Sequence, residues 1–340
     1  MKRLLLVGVM VMALANSAAR AQENASVHFE VLRPGHTFSI VARDSVTGQL
    51  GVAVQSHWFS VGAHVVWAEA GVGAVATQSF TEVSYGPLGL ELMKGGKTAP
   101  QALAALVAAD PQESVRQVAM VDAKGHVAVH TGSKCIAMAG DHAGAQFSAQ
   151  ANLMLRNTVW DAMARAYETA HGDLAERLLC ALEAAQREGG DIRGRQSAAI
   201  LIVPGTSTGR PWADRVMDLR VEDNPEPVKE LRRLVAMQRA YDRMDEGDRE
   251  MALNHTDAAL AAYSDAARQL PDNVEIKYWA AVTLMTTGHE AEASAYFKDV
   301  FAKDANWVEV TRRLPASGLL PDDPALLAKI IDLAPKPAKK

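Results

Sequence analysis

The sequence has no surplus of positive charge, only two cysteines and, beyond its N-terminal segment, no apolar run long enough to cross a bilayer. Each lack narrows the function. With 35 Lys and Arg against 40 Asp and Glu, the net charge of −5 leaves no electrostatic footprint for nucleic acid. Cys135 and Cys180 allow one disulfide at most, and whether they pair depends on a closeness in space that sequence does not encode. The G-x-S-x-G elbow, the P-loop, the H-E-x-x-H pair and the dinucleotide fingerprint are all missing, so no cofactor is expected. His126 and His130 offer only a superficial metal site. On a strand, residues four apart are separated by ~13 Å at ~3.3 Å per residue, too far to share an ion.

What is present is apolar bulk and a readable order of elements. The 340 residues are 49% hydrophobic, enough for two domains with cores of their own. Lys2 and Arg3, the apolar run from Leu4 to Leu14 and the Ala19-Arg20-Ala21 site read as a signal peptide over residues 1–21. The alternative, an N-terminal membrane anchor, suits the run less well, because a span requires ~20 apolar residues. The expected product starts at Gln22 and is periplasmic or secreted. Residues 22–36, ending in Arg33-Pro34-Gly35-His36, carry no periodicity and read as a lead-in or propeptide.

From Thr37 the chain turns to alternating strands. Phe38, Ile40 and Ala42 fall on one face, Ser39, Val41 and Arg43 on the other, and Thr47-Gly48 supplies a turn before the strand ending at Ser56. Pairing Arg43 with Leu50 places Thr37 opposite Ser56, two hydroxyls at one sheet end. Two more strands follow, from Ala63 to Ala70 and from Val72 to Ser79. Helices are predicted over Tyr85 to Lys94 and, after the capping-box spacing of Thr98 and Gln101, on to Ala109. Strands resume at Gln117 to Asp122 and Val127 to Thr131, with one or two more before Ala149. Helices over Val159 to Ala170 and Leu174 to Arg187 and a strand over Ser197 to Val203 complete the pattern. Helices paired between runs of antiparallel strands predict an α+β fold, two sheets face to face in an α/β/β/α sandwich over 37–220.

Past Asn224-Pro225-Glu226-Pro227 the composition becomes almost purely helical. Tyr263 and Tyr296, Ala258 and Ala291, and Asn273 and Asn306 are each 33 residues apart. That offset sits beside the ~34-residue tetratricopeptide period and predicts a small helical-repeat module over 228–335.

The blocks TFSIVARD, GVAVQS, GVGAVATQS, YGPLGLELM, VDAKGHVAVHTG and GRQSAAILIV resemble the domain-of-unknown-function 1028 family, assigned to the N-terminal-nucleophile (Ntn) hydrolase superfamily. The resemblance covers about Thr37 to Asp218, and the tail looks like the peptidoglycan-binding segment of some relatives. It implies an amidohydrolase in which the side chain of the first residue attacks and that residue's own α-amine, titrating near pH ~8, takes the proton. The matching residue is Thr37. Many relatives have this threonine directly after the initiator Met, whereas 15 residues remain ahead of it here after export. Catalysis by this route therefore requires a second cut at His36-Thr37, which the resemblance allows to be self-catalysed, by attack of the hydroxyl on the preceding carbonyl, or to be made by another agent. A threonine at this place also suits the edge of a sheet by strand propensity alone.

Asn152, in QANLM, matches a family asparagine that can donate to an oxyanion; an Asx turn is its structural reading, and Ala151 stands where the family has glycine. Further lining candidates come from the residues themselves. Asp191, Arg193, Arg195, Gln196 and Ser197 form a polar cluster before a strand, with Arg195 suited to a substrate carboxylate and Asp191 equally suited to a structural ion pair with either arginine. Gln78, Ser79 and Tyr85 follow from their place at the end of the fourth strand. Two readings stand: an exported amidohydrolase acting on a small amide or peptide, cell-wall material included, or a non-catalytic envelope binding protein that uses the helical tail. Self-association is left open.

Overall fold

Asp44 closes the first hairpin by accepting the backbone N–H groups of Val46 (3.0 Å) and Thr47 (2.7 Å), while Gly48 takes φ 74°. In the computed structural model, which describes residues 37–335, this turn joins β1 (Thr37–Arg43) to β2 (Leu50–Ser56). The register is the expected one, with Arg43 opposite Leu50 and Thr37 opposite Ser56. The expected signal peptide, 1–21, and lead-in, 22–36, lie outside the described residues.

The remaining strands are β3 (Val66–Glu69), β4 (Gly73–Ser79), β5 (Arg116–Asp122), β6 (Val127–Thr131), β7 (Gly140–Gly144), β8 (Phe147–Ala151), β9 (Ser197–Val203) and β10 (Met217–Val221). They form two antiparallel sheets, one in the order β10-β9-β2-β1-β8-β7 and one in the order β3-β4-β5-β6. The glycine-rich stretch before Ala149 holds both of the strands allowed for it. β3 is shorter than expected, because Val61–Ala63 wind into a 3-10 turn before it.

Alternation along each strand decides what it packs against. Val41, Val52, Val54, Ala199 and Leu201 of the larger sheet meet Ala74, Ala76, Ala119 and Val121 of the smaller one. The opposite residues of the larger sheet, Phe38, Ile40, Ala53 and Ile200, pack under α3 (Val159–Thr169) and α4 (Leu174–Arg187). Val75, Val118 and Met120 of the smaller sheet are covered by α1 (Tyr85–Lys94) and α2 (Ala99–Ala109). The Thr98–Gln101 capping box forms at the start of α2, and Asp173 caps α4 by accepting from Glu176 N at 2.8 Å. Gly86 lets α1 lie on Trp67, since a Cβ there would sit 2.4 Å from the indole ring.

The tail is helical: α5 (Pro227–Ala252), α6 (Thr256–Gln269), α7 (Val274–Thr286), α8 (Glu290–Lys303), α9 (Asn306–Arg313) and α10 (Pro324–Ile331). The repeat offset marks real turns. Asn273 caps α7 through Glu275 N (2.9 Å), and Asp304 accepts from Asn306 N (2.9 Å) ahead of α9. Tyr263 is buried, with its hydroxyl on Asp248 at 2.7 Å and its ring where a Cβ on Gly247 would sit. No helix among the described residues is long and apolar enough to cross a membrane, and both cysteines are free thiols.

Composition changes at 222–227, but packing does not. Val228, Leu231 and Val235 of α5 are buried with the core under the larger sheet, while Ala240, Met244 and Met251 of the same helix belong to the helical tail. Arg232 and Arg239 add ion pairs to Glu176, Glu183 and Asp173 around α4. One 26-residue helix thus serves two cores. A chain ending at Asn224 is expected to be less stable than one ending after Ala240 by roughly 4–9 kcal/mol, at about 1.5–3 kcal/mol for each of the three aliphatic side chains. Urea unfolding of the two truncations measures this, and equal midpoints would exclude the shared core.

Candidate functional site

The larger sheet ends in a row of hydroxyls. Thr37 stands opposite Ser56, and Ser56 opposite Ser197, so three neighbouring strands present Thr, Ser and Ser at one edge, on the face turned toward the smaller sheet. Thr37 Oγ1 lies 3.4 Å from Ser56 Oγ. Ser197 accepts from Val61 N (3.1 Å) and donates to the Trp58 carbonyl, which holds the 57–61 loop over the end of the row.

Where the row meets the smaller sheet, the space is filled by carboxamides rather than aliphatic groups. Gln78 donates to Gln117 Oε1 (2.7 Å) and lies 3.4 Å from the Thr37 carbonyl. That carbonyl also accepts Asn152 N at 3.1 Å, while Asn152 Nδ2 donates to Gln117 Oε1 at 2.8 Å. Ser39 donates to Gln78 Oε1 and accepts from Gln150 Nε2, both at 2.6 Å. Thr37, Ser39, Ser56, Gln78, Gln117, Gln150 and Asn152 are all 0% exposed. A buried amide left unpaired costs about 1–3 kcal/mol, so this cluster holds together only as a bonded set.

The polar cluster 191–197 is split by the structure. Asp191 is buried, accepts His57 N at 3.1 Å and pairs with Arg193 through Nε (3.0 Å) and Nη2 (2.7 Å), the ion-pair reading of this residue. Gln196 N donates to the Ser56 carbonyl (3.2 Å) and Gln196 O accepts Asn224 N (2.7 Å), so its backbone splints the row. Arg195 turns away to Glu226, where both side chains are partly exposed. Tyr85 also stands apart, with its hydroxyl 3.2 Å from Asp110 Oδ2. Burial and the adjacent Asp110 carboxylate raise the Tyr85 pKa well above the usual phenol value. Ser79 sits at φ 71°, and the Cys135 thiol, which donates to the Arg116 carbonyl at 3.3 Å, has its pKa raised by burial. Asn152 follows β8 directly and orients toward Gln117, with no helix immediately after it.

Of the expected residues, then, Thr37, Ser56, Ser197, Gln78 and Asn152 come together, with Asp191 and Gln196 bracing the loops behind them. Ser39, Gln117 and Gln150 were missed. Their signal was available: each is a polar residue at an inward position of an apolar strand, in TFSIVAR, RQVAMVD and FSAQA. The groups gathered at Thr37 hydrogen-bond but do not take up a proton near neutral pH. No group of three or more His, Cys, Asp or Glu side chains among the described residues is arranged to hold a metal ion.

A buried row of hydroxyls and amides between two antiparallel sheets, followed by a helical tail, is the class of protein this geometry defines. The family model described as a family of unknown function, DUF1028, matches residues 37–231, and the chain belongs to that family. A tetratricopeptide-repeat model matches residues 250–312 of the tail. Among solved structures, the chain is similar to protein SPO2555 from Silicibacter pomeroyi, itself titled as matching DUF1028. The two are 29% identical with a TM-score of 0.53, over 59% of this chain and 88% of that one. No curated protein matches the chain.

Proposed function

We propose that this protein is an exported Ntn-type amidohydrolase that cleaves an amide or peptide bond with Thr37 as nucleophile. The observation that carries this reading is the place of Thr37: first residue of a central strand, facing the second sheet, its carbonyl held by Asn152 N and its hydroxyl beside Ser56. The packing of a helix pair on the outer face of each sheet supports an Ntn-type four-layer sandwich.

In the intact chain the Thr37 nitrogen is acylated by His36 and the residue is fully buried, and on this reading that chain is the precursor. Attack of Oγ1 on the His36 carbonyl would break that amide and form an ester, and water would then release the His36 carboxylate. The freed α-amine, with a pKa of about 8, becomes the base. It takes the hydroxyl proton as Oγ1 adds to the substrate carbonyl, and returns it to the leaving amine. Water hydrolyses the resulting acyl-enzyme. Asn152 is the candidate donor to the oxyanion. The tail would then place the enzyme on peptide or cell-wall material in the periplasm.

A non-catalytic envelope binding protein would show the same buried, acylated threonine. The N-terminus of protein purified from the periplasm separates the two. Intact mass is expected to match a chain starting at Thr37; a chain starting at Gln22 without hydrolytic activity supports the binding protein, and one starting at Met1 removes export itself.

A further inference from the structure

Gln117 belongs to β5 of the smaller sheet and is the hub of the amide cluster between the two sheets. Its Oε1 accepts from both Gln78 (2.7 Å) and Asn152 (2.8 Å). Its Nε2 faces acceptors: the Ala151 carbonyl at 3.0 Å, Thr131 Oγ1 at 3.0 Å and the Gly140 carbonyl at 3.2 Å. Two of these are backbone carbonyls, which only accept. Thr131 spends its single proton on Asp141 Oδ1 (2.6 Å), a carboxylate, and so it too can only accept from Gln117. The amide of Gln117 therefore has one allowed orientation, nitrogen toward Thr131, Gly140 and the Ala151 carbonyl and oxygen toward Gln78 and Asn152.

That orientation propagates. An oxygen at the centre requires Asn152 to turn its nitrogen inward and Gln78 to do the same. Gln78 then has its own oxygen for Ser39 (2.6 Å), whose oxygen accepts Gln150 Nε2 (2.6 Å). Every donor in the chain from Gln150 to Asp141 points the same way, an arrangement in which each bond polarises the next.

We infer that Gln117 is a positioning residue, which acts from the opposite sheet to set the direction of the Asn152 carboxamide and to brace the Thr37 backbone through Gln78. This assignment rests on the proposed function for its catalytic consequence, but the orientation it asserts is measurable without any activity. Gln117→Met keeps the length and volume of the side chain and removes both the acceptor and the donor. Thr131→Val removes only one of the three groups behind Gln117 and leaves its oxygen in place.

The experiment reads two quantities on full-length protein: the rate of the cut at His36-Thr37, by intact mass, and the exchange protection of the Asn152 side-chain amide, by NMR. Gln117→Met is expected to slow the cut by about 100-fold, the scale of a lost oxyanion donor, and to lower Asn152 protection by about tenfold, the scale of one lost hydrogen bond. Thr131→Val is expected to leave both within about threefold of the parent, since the two backbone acceptors still hold the amide. Folded Gln117→Met protein that keeps the parental rate and protection would overturn the assignment. Where the parent makes no cut, the proposed function fails, and Asn152 protection alone decides the role of Gln117. Should Gln117→Met not fold, Gln117→Asn presents the same amide one methylene short of its partners and gives the same two readings.

Discussion

Replacing Thr37 with alanine is expected to abolish both the cut after His36 and all hydrolysis. The effect should be on the order of 10⁶-fold, as for other single removals of a catalytic nucleophile. A threonine hydroxyl far below its own pKa needs a base, and Ser56, Ser197, Gln78 and Asn152 around it do not titrate near neutrality. In the proposed mechanism the α-amine of Thr37 is the base that the cut itself creates, so one substitution would remove nucleophile, processing and base together. Thr37→Ser should retain part of the activity, since it keeps hydroxyl and amine. Intact-mass spectrometry and amide hydrolysis on the same preparations check both variants. Full activity of Thr37→Ala, or hydrolysis by a chain that still begins at Gln22, would sink the mechanism.

Among single substitutions, replacing Arg116 with alanine should produce a large loss of stability. Arg116 Nε meets Asp110 Oδ2 at 2.9 Å with side chains only 7% and 12% exposed, and Arg116 Nη1 also donates to the Phe80 carbonyl (2.6 Å). Removing the guanidinium leaves a mostly buried carboxylate without its cation, at a cost of up to about 3–5 kcal/mol. At roughly 2–4 °C per kcal/mol for a chain of this size, Tm falls by about 6–20 °C. The pH dependence follows from the shift of Asp110. Burial pushes its carboxyl up, but hydrogen bonds from Arg116, Gln112 N and Tyr85, together with the Arg116 charge, hold it below the ordinary value. A depressed folded pKa stabilises above the unfolded value of about 3.9, and that stabilisation is lost as pH falls through the folded value. In Arg116→Ala the burial effect is left without its strongest opponent, so the deficit should shrink on acidification. Thermal unfolding at pH 7 and pH 3, on either side of the unfolded carboxyl pKa of about 3.9, tests this. A deficit below about 1 kcal/mol at pH 7 would show that the pair is not structural. Coupling Arg116→Met to Asp110→Asn should recover much of the loss, because no lone charge then remains buried.

Elements with local causes were legible in the sequence. The β1–β2 register was readable because a short turn dictates which residues face each other, and Asp44 and Gly48 sit where that turn needs them. The starts of α2 and α4 were equally plain, since Thr98 with Gln101 and Asp173 satisfy backbone N–H groups within three residues of themselves. The pairing of Thr37 with Ser56 followed from that register alone.

Tertiary structure decided what lies across a gap. Strand alternation marks Ser39, Gln117 and Gln150 as inward-facing, but not that residues 39, 117 and 150, from three strands in two sheets, share one set of hydrogen bonds. The same holds for the boundary at 222–227, where proline and acidic residues signal a break that Val228, Leu231 and Val235 undo by packing under the larger sheet. Arg195 found Glu226, and Arg193 took Asp191, because the course of the backbone and not the order of charges brings partners within reach. Periodicity and caps act over a few residues along the chain and can be read from it; the meeting of two faces depends on how the whole chain packs, and no short stretch encodes that.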